Sequence, residues 1–121
     1  SLIEARRQIG GEALIGRSTH SLEQAVAAQE EGADYIGFGP IFPTPTKPDY
    51  GAIGLKAIRA VHDQVKLPIV CIGGIDAESC EPVARAGARC VAVVRAFCAA
   101  ENPESAGRLL KARIEQFYRS P

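Results

Sequence analysis

The 121 residues are enough for one domain and too few for two ordinary ones. Apolar residues make up 46%, as in a chain that buries a core. Basic and acidic residues balance at 14 each, so no strong field favours nucleic acid or an anionic membrane. No apolar run approaches the roughly 18 residues that span a bilayer.

The chain opens on SLIEARRQIGG, which is charged and amphipathic and does not read as a secretory signal. It lacks an initiating Met, so the start of the gene is expected elsewhere. Leu2, Ala5, Arg6 and Ile9 predict a first helix closed by Gly10-Gly11. Four apolar runs follow: ALIGRS at 13–18, DYIGFGPIF at 34–42, LPIVCIGGI at 67–75 and RCVAVVRAF at 89–97. Being rich in Val and Ile without alternation, they are expected to be parallel strands buried on both faces.

Helix signals fill the gaps. Ser21 and Gln24 form an S-x-x-Q capping box ahead of Leu22, Ala25 and Val26, and Gly32 supplies a left-handed stop. Leu55, Ile58, Val61 and Val65 predict the next helix, which Pro68 prevents from continuing. A short helix is expected from an N-cap at Ser79, with Pro82 in its first turn and Gly87 at its end. Asn102-Pro103-Glu104 opens the last helix, whose Ala106, Leu109, Leu110, Ile114 and Phe117 are expected to face the core.

The order is thus one helix and then four βα units, which implies an α/β fold with parallel strands and right-handed crossovers. Residues 1–121 are read as a single domain without a linker. Eight such units, typically about 250 residues, close a barrel; four leave two apolar edge strands, so another half or a longer protein is expected. Cys71, Cys80, Cys90 and Cys98 are spaced nine, ten and eight apart, matching no zinc or redox pattern. All four are expected to be reduced, in a cytoplasmic protein, with Cys71 and Cys90 acting as small apolar strand residues.

In parallel α/β folds, ligands bind at the C-terminal strand ends. Here those ends read RSTHS, GPIFPTPTKPDYG, IGGID and VVRAF, and all four carry groups suited to oxyanions. The longest connection, residues 40–51, holds Thr44, Thr46 and Lys47 between four prolines that limit the entropy lost on binding. It reads either as a stiff surface loop or as a binding loop. Gly73-Gly74 suits either a tight turn needing positive φ or close backbone approach to a phosphate, and Arg95 follows at the next strand end. His20 is a candidate proton carrier or a local hydrogen-bonding group, and Ser21 is chiefly a cap. His62 is assigned no role.

GRSTHSLEQA, GADYIGFGPIFPTPTK, PIVCIGGI and AGARCVAVV, in this order, resemble consecutive motifs of the thiamine phosphate synthase family. The resemblance runs from about Glu4 to the last helix. It implies the last four βα units of a TIM (β/α)8 barrel, a half barrel. The implied reaction joins hydroxymethylpyrimidine diphosphate to hydroxyethylthiazole phosphate and releases diphosphate. By similarity, Ser18 and Lys47 would hold the pyrimidine diphosphate. Thr44, Pro45, Thr46, Gly74, Val94 and Arg95 would contact the thiazole phosphate. Arg95 departs from the serine common there, which would allow a side-chain ion pair. The family's Mg2+ ligands fall in the preceding half, so no metal ligand is expected in this chain and the chain alone is expected to be inactive. The expected partners are the phosphorylated pyrimidine and thiazole substrates, with the missing N-terminal half or a homo-oligomer, and neither nucleic acid nor membrane. Arg17-Ser18-Thr19-His20-Ser21 also fits the related thiazole tautomerase branch, in which His20 would shuttle protons. A non-catalytic phosphate-binding half barrel is the third alternative.

Overall fold

The structure, a computed structural model, describes residues 1–44 and 51–119, with side chains through residue 117. Helix α1 (Leu2–Ile9) precedes β1 (Gly16–Thr19), α2 (Leu22–Glu30), β2 (Tyr35–Phe38) and α3 (Leu55–Gln64). Then come β3 (Ile69–Ile72), α4 (Cys80–Arg85), β4 (Cys90–Ala92), α5 (Arg95–Cys98) and α6 (Pro103–Arg119). The four strands are parallel and lie in sequence order, β1-β2-β3-β4. Successive helices pack on one another, α2 on α3 and α3 on α4, so they share one side of the sheet, the arrangement of a (β/α) barrel wall.

Register then sorts the side chains. Thr19, Phe38, Cys71 and Val91 form one row across the sheet, and Ser18, Gly37, Val70 and Cys90 form the next, on the opposite face. The first face meets the helices. Ile36, Phe38 and Cys71 are fully buried there with Ile58 and Val61 of α3 and Val83 of α4. Each large aliphatic or aromatic side chain so buried contributes about 1.5–3 kcal/mol.

The other face is open, which corrects the expectation of strands buried on both sides. Tyr35 and Ile72 each keep 39% of their surface exposed, and Cys90 is exposed as well. Four strands wrap no interior, so only the helix-covered side is dry. Cys71 is the small buried residue expected, whereas Cys90, one register row away, points to the uncovered side.

Several local signals act differently from their expected form. Ser21 Oγ accepts from Gln24 N at 3.1 Å, but Gln24 Oε1 accepts from His20 N at 2.8 Å, so the box closes one residue early. Ser79 occupies the N-cap of α4, yet its side chain makes no cap bond; Asp76 Oδ1 accepts from Glu78 N and Ser79 N instead. The last apolar run is a strand only to Ala92, and Arg95 begins α5. Asn102 caps α6 through Ser105 N as expected, and Leu110 is buried. Leu109 is 46% exposed: one step of 100° from Leu110 turns it off the stripe formed by Ala106, Leu110, Ile114 and Phe117.

The far end of the sheet is tied by Asp34. Its Oδ2 accepts from Arg6 at 2.6 Å and from Ile15 N at 2.7 Å, joining α1 to the approaches of β1 and β2. The Arg6 hydrogen bond, and after it the Ile15 N–H, holds the Asp34 carboxyl below its usual range against a smaller opposing effect of burial.

Candidate functional site at the strand ends

The C-terminal ends of all four strands open into one cavity of about 620 Å³. Ser18 and His20 enter it from β1, Thr44 from the loop after β2, Gly74 from the end of β3, and Val94 and Arg95 from the start of α5. These six expected site residues therefore share one wall. Pro45, Thr46 and Lys47 lie outside the described residues. Sequence reasoning passed over Gly39, Ile72 and Asp76, which also line the cavity. Their positions at strand ends were the available signal.

The loop after β2 is rooted in its neighbours. Gly39 N donates to Thr19 O at 3.2 Å, Ile41 N to Ile72 O at 3.0 Å and Phe42 N to Gly73 O at 3.1 Å. The return limb closes on the outgoing one through Ile53 N to Pro40 O at 2.8 Å and Gly54 N to Ile41 O at 3.0 Å. Ile41 is fully buried between them. Thr19, 1% exposed, donates its hydroxyl to Gly37 O at 2.7 Å, so this buried polar group is satisfied.

Gly73 and Gly74 have φ of 106° and 67°, so the turn requires glycine. They also give way to the loop: a Cβ on Gly73 would lie 2.4 Å from Pro40 Cα, and one on Gly74 2.8 Å from Phe42 Cβ. The tight-turn reading of the pair is thereby accounted for, and close packing of two backbones adds a reason the sequence could not supply. The same bare backbone lines the cavity beside Arg95.

Charge among the described residues of the cavity is sparse. Arg95 and Asp76 line it, and the Asp76 carboxylate is engaged at the head of α4. The Ser79 N–H, first among its causes, holds the Asp76 carboxyl below its usual range, while burial opposes it. Val94, 55% exposed, Ile72 and Ala92 make an apolar wall. The site therefore suits a ligand with an apolar body and an anionic end. Among the described residues, no three His, Cys, Asp or Glu side chains gather as a metal site.

Four successive parallel βα units with a ligand cavity at their C-terminal edge define a portion of a (β/α)8 barrel. Residues 1–97 match the sequence profile of the thiamine monophosphate synthase family, and the chain belongs to that family. It is 50% identical over 111 residues to a thiamine-phosphate synthase of Chloroflexus aurantiacus, covering 91% of this chain and 51% of that one. A thiamine-phosphate synthase of Thermus thermophilus is 47% identical over 112 residues, 92% of this chain and 53% of the relative. Among solved structures, thiamine phosphate pyrophosphorylase from Pyrococcus furiosus superimposes with a TM-score of 0.86 at 37% identity, over 95% of this chain and 55% of that one. The chain thus spans about half the length of these relatives. The BexX/CysO complex of Amycolatopsis orientalis, at 24% identity and a TM-score of 0.72, shares the fold.

Proposed function

We propose that this chain supplies the C-terminal half of the active site of a thiamine phosphate synthase, a transferase of thiamine biosynthesis. The observation that carries the reading is the 50% identity to a thiamine-phosphate synthase over 91% of the chain. Loss of diphosphate from hydroxymethylpyrimidine diphosphate leaves a pyrimidinylmethyl cation. The ring nitrogen of hydroxyethylthiazole phosphate attacks it and forms the new C–N bond. The protein's part is to hold two anionic ends in register and to stabilise the departing charge.

In this reading Ser18 and Lys47 hold the pyrimidine diphosphate. Thr44, Pro45, Thr46, Gly74, Val94 and Arg95 receive the thiazole phosphate. The Arg95 guanidinium adds a charge-assisted contact to those from backbone N–H groups. Mg2+ would neutralise the diphosphate; no cluster among the described residues fits it, so its ligands are assigned to the rest of the barrel. That remainder, or a second copy, covers the open sheet face, and the chain alone is inactive. No described helix is long and apolar enough to cross a membrane, and the protein is assigned to the cytoplasm.

His20 in the cavity wall favours one second reading, a thiazole tautomerase using its imidazole. The test is to incubate the natural gene product carrying this chain with both substrates and Mg2+. Thiamine phosphate and diphosphate should form in equal amounts. Arg95→Ser should raise KM for the thiazole phosphate roughly tenfold, more at low salt, and leave the pyrimidine KM within about twofold. Phosphate affinity without product would leave a binding module; isomerised thiazole phosphate would indicate the tautomerase.

A further inference from the structure

His20 Nδ1 lies 2.8 Å from Gly39 O. A carbonyl only accepts, so Nδ1 carries the proton and donates it. Gly39 N is held in turn by Thr19 O, so two successive residues at the end of β1 grip both polar groups of one glycine. A Cβ on Gly39 would fall 2.1 Å from Ile72 O, so this glycine also presses on the end of β3. The next residue, Pro40, lies against Gly73 so closely that a Cβ there would meet it at 2.4 Å. Gly73 O then accepts from Phe42 N. Contacts without slack transmit displacement.

We propose that His20 is a positioning residue: by fixing Gly39 it sets the path of the chain through Pro40 and Phe42, and with it the Gly73-Gly74 edge of the cavity. The imidazole thereby joins the ends of three strands into one rigid rim. Its effect on turnover passes through Gly39 and requires no proton transfer. The kinetic consequence rests on the synthase reading; the structural one does not.

Asn and Ala at position 20 separate the possibilities. The Asn side-chain amide N–H reaches where Nδ1–H does, and it cannot shuttle protons near neutral pH. In His20→Ala, exchange of the Ile41 and Phe42 amide protons should quicken about tenfold, the loss of one hydrogen bond's worth of anchoring, while Val65 N–H at the end of α3 is unchanged. His20→Asn should restore the protection. In the natural gene product, His20→Ala should raise KM for the thiazole phosphate about tenfold with kcat within about threefold, and His20→Asn should reverse the rise. Unchanged exchange in the Ala variant, or no recovery with Asn, overturns the proposal. So does a kcat that collapses equally in both variants, which is the mark of a proton carrier. Should the Ala variant not fold, wild-type exchange and KM in His20→Asn support positioning, and any loss there refutes it. If the wild-type product makes no thiamine phosphate, the synthase reading falls and the exchange measurement still decides the role of His20.

Discussion

Gly73→Ala tests whether the cavity rim depends on two backbones in contact. The new Cβ would stand 2.4 Å from Pro40 Cα, 2.5 Å from Pro40 Cβ and 3.0 Å from Ile41 N. Carbon atoms pack at about 3.5–4.0 Å, so the two segments must part by roughly 1 Å. None of the three atoms is the free end of a flexible side chain, so the movement must come from the backbone or a proline ring. Residue 73 also has φ of 106°, which costs a residue with a Cβ on the order of 1–3 kcal/mol. Overpacking adds about 1–3 kcal/mol, so stability should fall by about 2–6 kcal/mol. At a slope of about 2 kcal/mol/M, urea denaturation should show this as a midpoint lowered by about 1–3 M at unchanged slope. A 1 Å shift of the rim should also cost the natural gene product about 10²-fold in turnover. Gly11→Ala is the control: no described atom lies within 4 Å of a Cβ there and its φ is not positive, so it should stay within about 0.5 kcal/mol. If Gly73→Ala is as stable as that control, the close approach of residues 40 and 73 is not what the glycine provides.

Three further outcomes follow from the same structure. Burial, first among the causes, pushes the Cys71 thiol up to about 12, so at pH 8 only about one in 10⁴ is thiolate. A thiol reagent should modify exposed Cys98 well before Cys71, and mass mapping showing the reverse would contradict the buried placement. Asp34 has a folded-state pKa below its unfolded value, so its contribution is present above the unfolded value, about 3.9, and is lost as pH falls through the folded one. The Tm difference between wild type and Asp34→Asn should therefore be full at pH 7 and shrink toward pH 3; a constant gap would refute the ion pair's role. Asp76→Ala should cost about 1 kcal/mol, and Ser79→Ala less, because Asp76 Oδ1 holds the Glu78 and Ser79 N–H groups of the turn leading into α4, whereas Ser79 Oγ accepts from Asp76 N and makes only a long contact to Gly74 O. Chemical denaturation of both variants checks the order.

Much of this architecture was legible along the chain because its signals are local. A left-handed stop at Gly32, a proline three residues after the β-type Val65, and Asn102 ahead of Pro103 act within one turn of the backbone, and the structure keeps each. Repetition of strand, helix and glycine then implied parallel order. The ordered motifs from Gly16 to Val94 marked the family. What remained undecided needed distance in space. Cys71 and Cys90 sit in runs of similar composition, and only register put one against helices and the other on the uncovered face. Ser79 read along the chain as the cap of α4, yet the turn geometry gives the bonds to Glu78 N and Ser79 N to Asp76. The apolar run through Phe97 reads as one strand, yet the chain leaves the sheet after Ala92 and turns into α5, which brings Arg95 to the cavity. Above all, Gly39 and Gly73 owe their identity to each other's surroundings: each makes room for a backbone more than thirty positions away. A sequence states which residues can turn. Only the packed fold states what they must turn around, because excluded volume between distant segments has no local signature.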